Sequence, residues 1–97
     1  MKKERVIFRR EWNPYWKQWN YLACFPDDEA CYGRLCMVPI WFNNDVPWHG
    51  AYGEMSWEYY YETKPVRKKE KELVNKLVTA LQLFYGGEYR VYEKVVR

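Results

Sequence analysis

Polar and apolar residues alternate in ERVIFRR (4–10), with Val6 and Phe8 on one side and Arg5, Ile7 and Arg9 on the other, the period of a half-buried strand. The next stretch, REWNPYWKQWNYL (10–22), places Trp12, Trp16 and Trp19 at helix-like spacing, but Pro14 lacks an amide donor and biases Asn13 toward extended geometry. Residues 11–17 are therefore expected to form a loop or bend, with a strand resuming from Gln18 to Phe25. PDDEA (26–30) is a polar turn, and YGRLCMVPIWF (32–42) carries apolar groups on both faces, as a central strand does. The two strands pair as a hairpin, with Pro39 marking a bulge, an edge or an early stop in the second.

NNDVPWHGAYG (43–53) is rich in turn formers and reads as a loop. EMSWEYYYET (54–63) alternates again, predicting a strand with Met55, Trp57, Tyr59 and Tyr61 packed and Glu54, Ser56, Glu58, Tyr60 and Glu62 facing water. A helix follows, with Pro65 at its first position and Gly86-Gly87 as its stop. Val66, Leu73, Leu77, Ala80, Leu81 and Phe84 fall on one stripe of it, opposite Lys68, Lys71, Glu72, Asn75, Thr79 and Gln82. EYRVYEKVV (88–96) closes the chain as a strand packed through Tyr89, Val91 and Val95. The order β-β-β-β-α-β predicts an α+β fold: an antiparallel or mixed five-stranded sheet with one long helix, in the C-terminal half, on one face.

Residues 1–97 are expected to make a single domain, since 97 residues support one core. No apolar run approaches the roughly 18 residues of a membrane span, and Met-Lys-Lys leads into charge rather than a signal sequence, so the expected location is cytoplasmic. That compartment, and spacing too loose for a CxxC metal knuckle, favours reduced thiols for Cys24, Cys31 and Cys36. The alternative is a Cys24–Cys31 disulfide across the hairpin.

Charge is segmented: residues 1–23 hold six Lys/Arg against two acids, 24–63 one against seven, and 64–97 nine against four. One reading is that the basic ends meet in space and pair with the acidic middle; the other is a basic patch that attracts phosphate.

Catalytic equipment is sparse. There is one histidine, His49, one serine, Ser56, and no nucleophile-elbow, zinc or phosphate-loop motif, so no enzyme activity, cofactor or metal is expected. A Cys–His pair from Cys31 or Cys36 and His49 is the remaining catalytic option. Glu54, Glu58 and Glu62, if on one strand face, would stand roughly 13 Å apart in steps of four, too far to flank one bond or ion.

Aromatics make up 21% of residues, more than one small core takes, so some rings must face outward. The strongest candidates surround Pro14 and the loop that holds Trp48. Flat rings among cations suit nucleic acid or a nucleotide: Trp12, Tyr15, Trp16 and Trp48 would stack on bases, Arg9, Arg10, Lys17, Arg67 and Lys68 would hold phosphate, and His49 joins the candidate binding residues as a neighbour of Trp48 in its loop. The same surface suits a protein partner, because Trp, Tyr and Arg dominate interface hot spots. An adaptor or inhibitor, of the kind phages and mobile elements encode as small accessory proteins, is thus the alternative to a nucleic-acid binder. Surplus exposed rings also fit a homodimer.

Overall fold

The hairpin at the start of the chain is longer than its polarity pattern implies. In the computed structural model, which describes residues 3–94, β1 (Glu4–Asn13) and β2 (Gln18–Phe25) stay in antiparallel register from Ile7↔Cys24 to Asn13↔Gln18. The bend is confined to the turn 14–17. There the Asn13 side-chain oxygen accepts from the amides of Tyr15 and Trp16 at 3.0 and 3.1 Å, and Lys17 takes φ 53°. An Asx turn of this kind lets Pro14 sit without a donor, so the strand runs up to Asn13 instead of ending at Arg10.

After a 3-10 turn (Glu29–Cys31), β3 (Leu35–Asn43) pairs antiparallel with β2. The expected loop over 43–53 is instead mostly strand. Asn44 and Asp45, both at positive φ, make the tight turn that suits a hairpin, and β4 (Val46–His49) returns against β3. β5 (Gly53–Met55) pairs with the other end of β3, and the register slips by one residue between Ile40↔His49 and Met37↔Gly53. Pro39 faces that interruption, where its missing amide would otherwise leave a gap in the ladder.

The expected strand over 54–63 is overturned beyond Met55. Ser56 caps a short helix, α1 (Trp57–Glu62), its hydroxyl accepting from the Tyr59 amide at 3.1 Å. Alternation at period two and helical spacing are hard to tell apart in so aromatic a hexapeptide. The helix wins because it turns both Trp57 and Tyr60 toward the sheet, burying Tyr60 and leaving Tyr61 exposed, the reverse of the strand assignment. Glu58 and Glu62 then lie one helical turn apart rather than along a strand.

Pro65 does not start the long helix. It belongs to β6 (Lys64–Pro65), which pairs with Arg9 and Arg10 of β1, and the Val66 amide extends this contact to the Phe8 carbonyl at 3.1 Å. The helix, α2, runs from Lys71 to Tyr85 and buries Leu77, Ala80 and Leu81. β7 (Tyr89–Tyr92) lies parallel to the start of β1. Val95, expected on the packed side of this strand, lies outside the described residues.

The sheet is mixed and has seven strands rather than five, in the order β4-β3-β2-β1-β6, with β5 added on β3 and β7 on β1. Its first face carries Val6, Phe8, Ala23, Val38 and Ile40 against Leu77, Ala80 and Leu81 of α2. Its second carries Ile7, Leu22, Cys24, Leu35 and Met55 against Tyr60 of α1. β1 is therefore covered on both sides at Val6–Arg9 rather than half-buried. The chain's basic ends do meet the middle: β1 joins β7, Arg5 pairs with Asp27, and Lys76 with Asp45 at 2.6 Å.

The cysteines differ from expectation. Cys31 and Cys36 form a disulfide, whereas Cys24 is free and buried. Strand parity decides the pairing, because Cys36 is opposite Phe25 on the α2 side and Cys24 points to the other face. Neither three reduced thiols nor a Cys24–Cys31 bond fits that geometry.

Candidate functional site

α1 is only six residues long, so it covers one half of the second face and leaves the other half open. Side chains of β2, β3 and β4 that share the parity of Leu22 emerge there. Trp41 and Trp48 are directly paired across β3 and β4, and Met37 and Pro39 continue the row along β3. Trp16 reaches in from the β1–β2 turn and Tyr59 from α1. Together they wall a groove of about 700 Å³ whose remaining polar lining comes from Asn13, Gln18, Asn20 and Asn43. None of its lining residues is charged.

The chemistry available is therefore indole faces, a thioether and carboxamides, which offer donors and acceptors without charge. Charge enters at the Tyr59 end. Glu11 shares the face of its partner Asn20, and burial together with the carboxylates of Glu11 and Glu62 pushes the Tyr59 phenol up to about 12.

The residues expected to bind phosphate or bases are split among several places. Arg9 is buried beneath α1, donating to Thr63 Oγ1 at 2.9 Å and to the Tyr60 carbonyl at 3.2 Å. Arg10 points to the α2 side, paired with Glu70 at 3.1 Å and lying 5.0 Å over the Trp19 ring. Trp12 packs edge-on against Trp19 on that side, half exposed. His49 also faces α2, 4.4 Å from the Phe84 ring. Arg67 and Lys68 lie in the approach to α2, where their backbone amides donate to Glu70 and Glu93. Tyr15, Trp16 and Lys17 stay exposed at the β1–β2 turn, and of the expected set only Trp16 and Trp48 meet in the groove.

The Cys–His option is not assembled: Cys31 and Cys36 are bonded to each other, and burial raises the Cys24 thiol to about 12, which keeps it protonated. No cluster of His, Cys, Asp and Glu that could hold a metal occurs among the described residues, nor does a helix long and apolar enough to cross a membrane. No protein-family model matches the chain, and neither a curated protein nor a solved structure matches it.

Trp41, Met37, Pro39 and the four carboxamides were missed by sequence reasoning. The available signal was that 32–42 is apolar on both faces, which requires a cover for each. Among the described residues the two covers are unequal, 15 residues in α2 against six in α1.

Proposed function

We propose that this protein is a non-enzymatic binding module that engages a protein partner through the uncovered half of the sheet's second face. The observation that carries this reading is the convergence of Trp16, Trp41 and Trp48 on one uncharged groove. Tryptophan anchors ringed by neutral hydrogen-bonding groups are the composition of an interface centre, which is depleted in charge. Phosphate contacts would need cations, and of those expected to supply them Arg9 is buried, Arg10 is paired with Glu70, and Lys17, Arg67 and Lys68 are exposed but do not line the groove.

A photo-crosslinking residue in place of Trp48 tests this in cells, with the same residue in place of Tyr32, 94% exposed and outside the groove, as control. The expected result is an adduct with one identified protein from position 48 only, lost when Trp41→Ala is added. Identical adducts from both positions, or none from position 48, would refute it. An adduct with a second copy of the chain would make the partner a homodimer mate.

A second reading has its own observation: Tyr15 is 82% and Trp16 67% exposed beside Lys17, so the β1–β2 turn offers rings for base stacking. Fluorescence titration with single-stranded and duplex nucleic acid at two salt concentrations tests it. Binding that falls steeply with salt supports this reading, and no binding at the lower salt removes it.

A further inference from the structure

The groove lies on the face of the sheet rather than at its edge. Of the strands that floor it, β2 and β3 are paired on both sides, and β4, last in the sheet order, pairs with β3 and has only its outer edge open, in the plane of the sheet and not on the groove's face. A segment entering here cannot be added as another strand, which separates it from the commonest way a sheet takes a peptide. Its own backbone polar groups must be met by water or by the carboxamides of Asn13, Gln18, Asn20 and Asn43. The polyproline conformation suits that demand, because it makes no internal hydrogen bonds, keeps its backbone solvated, and loses little entropy on binding. Grooves walled by tryptophan and tyrosine are where such segments dock, pyrrolidine rings lying on the aromatic faces.

Charge then sets the orientation. The lining is neutral along its length, and its Tyr59 end is flanked by two acidic residues, Glu62, three residues on from Tyr59 in α1, and Glu11, opposite Asn20 in the β1–β2 ladder. Glu62 is exposed at the end of α1, and Glu11 is half-buried on the strand face next to Asn20. A cation arriving at that end gains from both carboxylates and from the Tyr59 ring.

We propose, resting on the protein-binding reading above, that the groove takes an extended, proline-containing segment of the partner whose lysine or arginine is seated at Glu11 and Glu62. The volume of about 700 Å³ lies in the range of pockets that enclose a ligand of a few residues. Trp16 and Trp48, standing at the open side, grip the apolar part of the segment.

Three synthetic peptides test the proposal by tryptophan fluorescence: one with proline at every third position and lysines at one end, one with those lysines replaced by glutamate, and one with the prolines replaced by glycine. The lysine–proline peptide is expected to bind saturably, and each of the others about tenfold more weakly. Glu62→Gln, at an exposed position, should narrow the gap between the lysine and glutamate peptides, and the double variant Glu11→Gln/Glu62→Gln should close it. Trp48→Ala should weaken all three alike. Equal binding of the lysine and glutamate peptides, equal binding of the proline and glycine peptides, or no saturable signal at all would overturn the proposal. In that event an identified partner cross-linked from position 48 would still stand, since that experiment uses no peptide.

Discussion

The guanidinium of Arg9 lies 4.5 Å over the ring of Tyr60 and donates to the Tyr60 carbonyl, so one strand residue holds both the side chain and the C-terminal end of α1. Thr63, which caps that helix, receives a further bond on its hydroxyl. A cation at the carbonyl end of a helix is also favoured by the helix dipole. Arg9→Ala removes these bonds together and takes the Arg9 donor from the buried Thr63 carbonyl, while the Tyr60 carbonyl keeps the Thr63 amide and hydroxyl. The expected loss is about 3 kcal/mol, or roughly 15 °C in melting temperature for a domain of this size, by thermal denaturation. Arg9→Lys should recover part of that loss.

Gly50 is held against Pro39. A methyl group at position 50 would meet Pro39 Cγ at 2.6 Å, and the Gly50 amide donates to the Pro39 carbonyl at 3.0 Å. Gly50→Ala is expected to cost about 1–3 kcal/mol in urea unfolding, from forced displacement at a close contact. Pro39→Ala removes the obstructing ring carbons, so the double variant should be more stable than the two single losses predict. Additive losses would show that the contact with Pro39 is not the cause. Both residues bear on the groove, because Pro39 lines it.

How far the sequence reveals this molecule depends on whether the local signal had a competitor. The α2 stripe through Leu77, Ala80 and Leu81 was legible because a 15-residue helix repeats its pattern several times. The segment 57–62 was not, since six residues rich in tyrosine fit either period, and the Ser56 cap decides between them. Pro65 suits a helix start and equally an edge strand, and pairing with Arg9 selects the latter. Outward-facing rings near Pro14 and at Trp48 were legible from aromatic excess, but which rings share a face was not. Trp12 and Trp16 lie four residues apart and end on different sides of the sheet, because the turn at 14–17 separates them.

The Cys31–Cys36 bond closes a short loop, its ends five residues apart in sequence. On the chain-entropy account such a loop stabilises the fold by about 2 kcal/mol. Urea unfolding with and without reductant should show that difference, and Cys31→Ser/Cys36→Ser should behave as the reduced protein while staying folded. Thiol titration of the oxidised protein in denaturant should find only Cys24; three reactive thiols would exclude the bond.

Tyr59 links the groove's acidic end to stability at high pH. Its phenol moves from an ordinary value of 10.0 to about 12, first because it is desolvated, then because Glu11 accepts from it and Glu11 and Glu62 oppose a second negative charge. The neutral phenol is the form the fold favours, so its contribution is complete below pH 10 and disappears between 10 and about 12 as the unfolded chain, but not the native one, ionises. Tyr59→Phe cannot ionise and should flatten the fall in stability across that window, measured by urea unfolding at stepped pH. At neutral pH the same variant loses the hydrogen bond to Glu11 and should be less stable by about 1 kcal/mol. The two stability curves should therefore converge as pH rises. A constant gap would mean that Tyr59 ionises as freely in the native groove as in the unfolded chain.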